Sequence, residues 1–140
     1  MQKKEMSAIL ARASKEELDE IAARIEAECK VEILKEPQKT LVMVKARESI
    51  RRSLFYLGEV LATECIVVVN GTKGYSVVAG DNEEQCLAAA IIDAAVNADL
   101  DQVYGISEKL QQLKTQQEKK RARLNAEILK SKVNFNVMGE

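Results

Sequence analysis

Histidine and tryptophan are absent from this 140-residue chain, proline occurs once, cysteine three times, and aromatic residues make up 4%. Each shortage narrows the chemistry. Without imidazole the chain alone cannot build a Ser-His or Cys-His nucleophile pair, a histidine metal site, or the commonest general base near neutral pH. Catalysis by this chain alone would fall to carboxylates, lysine or a thiolate. With so few aromatics, a core must rest on Val, Ile, Leu and Ala. Cys29, Cys65 and Cys86 are odd in number, widely spaced and set inside apolar patterns, so they fit neither a disulfide framework nor a zinc knuckle and read as buried free thiols.

An excess of either charge is also lacking. Twenty-one basic residues face twenty-two acidic ones, a net charge of -1. That offers no global attraction to a polyanion or an anionic membrane, and a nucleic-acid role would need a strong local patch. At the start, only Ala8 to Ala11 forms an uninterrupted apolar run, too short for a signal-peptide core or a membrane span. The expectation is a cytoplasmic protein with neither nucleic acid nor membrane as partner.

What is present fits one soluble domain over residues 1–140, with 46% apolar and 31% charged residues. A first helix is expected from Lys3 to Arg12. Ser14-Lys15-Glu16-Glu17 has capping-box spacing, and Leu18, Ile21, Ala22, Ile25 and Cys29 then follow a helical period. In VEILKEPQKTLVMVKAR, β-branched residues flank Pro37, which predicts two strands joined at Glu36 to Lys39. Leu54 to Leu57 and Val60 to Val69 read as extended with a bulge or bend at Gly58-Glu59, and Tyr75 to Ala79 as the last strand. Asp81, three residues before Glu84, is placed to cap a helix rich in alanine and isoleucine. That helix is apolar nearly all round, so something besides the sheet must cover it. Beyond Gly105 a long polar helix is expected from Ser107 to about Lys130, followed by an extended tail, Val133 to Met138. The fold class is α+β: an antiparallel sheet of about four to five strands with N-terminal helices, a buried Ala-rich helix and a long C-terminal helix.

Three features invite a functional reading. Gly71-Thr72-Lys73-Gly74 has the glycines of a phosphate cradle, but a P-loop would end in Lys-Ser or Lys-Thr and enter a helix, whereas a strand follows here. Asn70-Gly71 between apolar runs is instead a strong hairpin signal, with Lys73 kept as a candidate anion contact. Asp93 puts a carboxylate inside the most apolar helix, where an unpaired charge would be costly. It either meets a backbone donor or a cation across a helix or subunit contact, or is solvent-exposed, or does chemistry. Lys119, Lys120, Arg121 and Arg123 form a basic cluster on the long helix, for which a solvated helix face is the simpler reading, alongside Leu110, Leu113, Leu124 and Ile128 near heptad spacing. Such a helix suits lying across a partner or closing over the Ala-rich one.

Taken in order, several short segments resemble the PhnG subunit family of the bacterial carbon-phosphorus lyase system. They are Met6-Ser7-Ala8-Ile9-Leu10-Ala11, Pro37 with Leu41-Val42-Met43-Val44, Phe55-Tyr56-Leu57-Gly58-Glu59 with Thr63, and Gly74-Tyr75-Ser76 with Gly80. Ala90-Ile91-Ile92-Asp93-Ala94 and Val133-Asn134-Phe135 with Met138 complete the series. The resemblance implies an accessory, non-catalytic subunit of a multi-subunit transferase, inactive alone. That enzyme forms α-D-ribose 1-methylphosphonate 5-triphosphate from ATP or GTP and methylphosphonate. It implies other lyase subunits as partners, above all a nucleosidase-type one, and no cofactor held by this chain. No residue is assigned to catalysis or metal binding; Gly58, Glu59, Asp93, Lys132, Phe135 and Met138 are the candidate interface or structural residues. The rival readings are a stand-alone structural or regulatory homo-oligomer, self-associating when isolated, and a small anion-binding module using Lys73 and the basic cluster.

Overall fold

The computed structural model describes residues 2–47 and 54–139, the side chains of 46, 47, 55, 56 and 131–139 excepted. Helix α1 spans Lys3–Arg12, as the spacing predicts, and buries Met6, Ile9 and Leu10. Helix α2, Lys15–Glu28, opens with the capping box: Glu17 N–H donates to Ser14 Oγ at 3.3 Å, and Ser14 N–H donates back to the Glu17 carboxylate at 3.4 Å. These two contacts satisfy donors that every helix start leaves open. The helix turns Leu18, Ile21, Ala22 and Ile25 inward.

Among the described residues the sheet has three antiparallel strands in the order β1-β2-β3: β1 Val31–Arg47, β2 Leu54–Val69 and β3 Thr72–Ala79. The expected four to five strands reduce to three because neither Pro37 nor Gly58 ends a strand. Between Lys35 and Gln38, β1 advances three residues while β2 advances two, a bulge that contains Pro37. At a bulge on an edge strand the missing N–H forfeits no ladder bond. Near Gly58 the extra residue is on β2, since Val44 pairs with Gly58 and Lys45 with Tyr56, leaving Leu57 unpaired. The β2–β3 hairpin turns on Asn70 and Gly71, both with positive φ, and closes on the Val69–Thr72 pair. Gly71 thus belongs to the hairpin turn and Gly74 to the strand that follows it, β3.

Helix α3, Glu83–Asn97, lies against β2 and β3 on one side and against α2 and α1 on the other. This double covering buries Cys86 and Ala88 through Ala95, which accounts for a helix apolar nearly all round. Gly74 is the closest point of approach. A Cβ there would stand 2.3 Å from the Ala94 nitrogen and 2.5 Å from the Ala90 carbonyl oxygen. Glycine on the strand and alanines on the helix therefore let the two backbones touch. Fully buried Leu18, Ile25, Ile91, Ile92, Ile106 and Leu110 fill the core, each stabilising by about 1.5–3 kcal/mol relative to exposure.

Two expectations fail at chain connections. Asp81 does not cap α3. The N-cap residue is Asn82, and Asp81 instead pairs with Lys39 at 3.4 Å. Thr63 explains the offset: its buried hydroxyl donates to Gly80 O at 2.7 Å and accepts from Asn82 N–H at 3.2 Å, tying the β3–α3 connection to β2. After the short α4, Asp101–Tyr104, Gly105 takes a left-handed conformation, and α5 runs as one helix from Ile106 to Gly139. The Asp101 carboxylate accepts from Ser107 N–H at 2.6 Å and supplies the missing cap. The extended tail expected from Val133 to Met138 is therefore helical, because no proline or glycine lies between Ile106 and Met138 to stop propagation.

Candidate docking surface

Asp93 is held within the chain. Its Oδ2 accepts from Tyr75 N–H on β3 at 3.0 Å, and Asn97 Nδ2 lies 3.5 Å away. Lys3 of α1 completes the arrangement at 3.0 Å from Oδ1. One carboxylate thus joins α1, α3 and the outer edge of β3. Asn97 extends the same clamp by donating to Lys73 O at 2.9 Å. The Lys73 side chain itself is exposed just past the hairpin turn.

Several other titratable groups are buried or held by partners. Burial pushes the Cys65 thiol up to about 11 and raises Cys86 as well, so both are neutral and unreactive near pH 7. Cys29 is half-buried, its sulfur 3.2 Å from the Tyr104 hydroxyl; that hydrogen bond, helped by burial, raises the tyrosine pKa. Glu64 sits on the sheet face away from α3, held by Lys35, by Gln38 at 3.4 Å and by the Tyr75 hydroxyl at 3.2 Å. The Lys35 contact, aided by Gln38, holds its carboxyl below the usual carboxylate range. Among the described residues no three of Cys, Asp and Glu converge as metal ligands, and no helix is long and apolar enough to cross a membrane.

The distinctive surface is apolar. Strand β3 pairs with β2 only from Ala62 to Val69, so β2 from Leu54 to Leu61 pairs with β1 alone. The result is a two-stranded arm, about 25 Å long at 3.4 Å per residue. Cys65, Val67 and Val69 alternate onto the face under α3. Leu61 continues that face along the arm, joined by its partner Leu41 and by Met43 opposite Glu59. Val42 and Val60 pair on the reverse face. Leu41 is 62% exposed, Met43 56% and Leu57 58%. Both faces of the arm are thus apolar and uncovered among the described residues, a pattern that marks contact surfaces.

Successive apolar residues in Leu41-Val42-Met43-Val44 and Val60-Leu61 carried this signal, because a strand wet on one face alternates. Alone, such a run reads equally well as a strand buried on both sides. Of the six candidate interface or structural residues, Gly58 and Glu59 lie on the arm and Asp93 in the core. Lys132, Phe135 and Met138 fall on the last turns of α5, where the backbone is described and the side chains lie outside the description. The fold does not gather them into one site.

A comparison with curated proteins finds no match. Residues 1–139 match the family model described as phosphonate metabolism protein PhnG. With essentially its whole length covered by that match, the chain belongs to the PhnG family of phosphonate metabolism.

Proposed function

We propose that this chain is a non-catalytic accessory subunit of a cytoplasmic carbon-phosphorus lyase assembly, needed for alkylphosphonate use as a phosphorus source. In that role it helps a nucleosidase-type companion replace the base of ATP or GTP by methylphosphonate, giving α-D-ribose 1-methylphosphonate 5-triphosphate. The companion carries out the bond changes. This chain contributes contact area and shape, and binds no cofactor of its own.

The observation that carries the reading is the arm, with large aliphatic side chains on both faces and no covering element among the described residues. A soluble monomer gains nothing by exposing so continuous an apolar ribbon. The chemistry around it agrees, since the chain has no histidine and its two buried thiols are neutral. Co-expression with the other lyase subunits, followed by size-exclusion chromatography, should yield one co-eluting complex. Separate elution at every protein concentration would overturn the proposal. The arm also suits pairing with a second copy, so light scattering on the isolated chain separates an accessory subunit from a stand-alone homo-oligomer.

A further inference from the structure

The first half of α5 is seated on the body. Ile106 and Leu110 are fully buried and Leu113 nearly so; Gln117 Nε2 donates to Ile9 O at 3.2 Å, and Lys114 pairs with Glu5. At 100° per residue these side chains share one side of the helix with Leu124 and Ile128. Helix α1 runs alongside in the same direction, Glu5 meeting Lys114 and Ile9 meeting Gln117, and ends at Arg12. Beyond that end the seam continues without cover among the described residues, and Leu124 and Ile128 are more than half exposed.

The same stretch is where the charge separates. Residues 119–130 hold Lys119, Lys120, Arg121, Arg123 and Lys130 against Glu127 alone, in a chain whose net charge is -1. All are exposed, and a hollow of 370 Å³ opens beside Lys120, Arg121, Arg123, Leu124 and the one acidic residue of the stretch, Glu127. Two aliphatic anchors flanked by cations describe the ligand half of a helix-in-groove contact. A second copy is a poor occupant, because pairing Leu124 with its twin sets the two basic clusters against each other. Phosphate backbones would use the cations and leave the aliphatic pair idle. A membrane surface calls for a broader apolar face, and Leu129 lies across the helix from Leu124.

We propose that residues 119–130 of α5 dock as a helix into an apolar groove rimmed by carboxylates on a companion lyase subunit. Leu124 and Ile128 enter the groove, and Lys120, Arg121 and Arg123 pair with its rim. The proposal rests on the accessory-subunit reading above and names the chemistry of one of its contacts.

The test uses the full chain and the co-expressed companion subunits as the probe, with affinity measured at low and high salt. Wild type should bind more weakly as salt rises. Reversing the rim charges (Lys120→Glu, Arg121→Glu and Arg123→Glu together) should weaken binding roughly tenfold or more and flatten the salt dependence. Leu124→Ser with Ile128→Ser should weaken it by about tenfold while keeping that dependence. Since every altered side chain is exposed, circular dichroism should show an unchanged fold. If wild type assembles and both variants match it, the inference fails and the accessory role stands; if wild type does not assemble, both fall. Self-association abolished by the serine pair, or binding to phosphatidylserine vesicles or a single-stranded oligonucleotide abolished by charge reversal with companion binding intact, would also overturn it.

Discussion

Along β2, Cys65, Val67 and Val69 are fully buried beneath α3, whereas Leu57, Val60 and Leu61, residues of similar kind on the same strand, are 43–58% exposed. The two stretches share a backbone conformation and a pairing partner in β1. They differ in what lies across them. Over the first, β3 continues the sheet and α3 closes its face; past Ala62 neither does. Cys65, Val67 and Val69 are explained by the helix that buries them. Leu57, Val60 and Leu61 are not, and that unexplained hydrophobicity is what points outward to a partner.

The sharpest way to break the contrast is to attack the body at its tightest point. Gly74→Ala places a methyl carbon 2.3 Å from the Ala94 nitrogen, and both neighbours are backbone that cannot rotate away. We expect a loss of about 3 kcal/mol or more, measured by urea denaturation of the isolated chain. A loss below about 1 kcal/mol would mean that α3 does not ride on β3 as described.

How much of this was readable beforehand follows from the range of the forces involved. The ends of α1, the capping box at Ser14, and the Asn70-Gly71 turn are decided by residues within four positions of each other, so local chemistry sufficed. Asp93 was recognisable as needing a partner, because a carboxylate among Ile92, Ala94 and Ala95 has few tolerable fates. The offset of the α3 cap was not readable. It depends on Thr63, distant in sequence, holding Gly80 and Asn82. Pro37 misled for a similar reason: its cost depends on whether the strand is at an edge, which is a property of the sheet. Gly74 could have been found, since a glycine inside an apolar strand often marks close backbone approach, though nothing nearby named α3 as the neighbour. The arm is the same case in reverse: its sequence reads as core, and only the lack of a covering layer among the described residues shows otherwise.

Asp93→Leu should have the next largest effect on the body. Leucine strands the Tyr75 N–H at the outer edge of β3 and leaves Lys3 without its partner. Losing a buried hydrogen-bond acceptor costs about 2 kcal/mol, and Asp93→Asn, which keeps a side-chain carbonyl, should recover most of it. Lys3 is more than half exposed, so Lys3→Ala alone should cost under about 1 kcal/mol. Thermal denaturation of the three variants should rank them in that order. Equal losses for Asn and Leu would assign the role of Asp93 to charge instead.

A smaller effect is expected where body and arm meet. Glu64 faces Lys35 and Gln38 from β1 and the Tyr75 hydroxyl from β3, and the Lys35 contact lowers its pKa. A carboxylate with a depressed folded-state pKa lends stability above its ordinary value of 4.5, and that stability disappears as pH falls through the lower folded value. The difference in stability between wild type and Glu64→Gln should therefore be constant from about pH 7 to 5 and shrink below about pH 4.5. Denaturant melts across that window would show it. A difference that grows on acidification would contradict the assignment of Lys35 as the partner.

The smallest effect on the isolated chain, and the one that decides the comparison, belongs to the arm. Leu41 and Met43 are among its most exposed large side chains and pair with Leu61 and Glu59 across the ribbon. Surface substitutions of this kind change stability by at most about 0.5 kcal/mol, so Leu41→Ser with Met43→Ser should leave the denaturation midpoint nearly unmoved. Assembly with the companion subunits should weaken by about tenfold or more, equivalent to about 1.4 kcal/mol. The Gly74 variant should show the opposite pattern, losing stability first and binding only as a consequence. If the arm variant unfolds the isolated chain, the ribbon is part of the core and the contrast with the body disappears; if it leaves both stability and assembly intact, the exposed residues have no partner to meet.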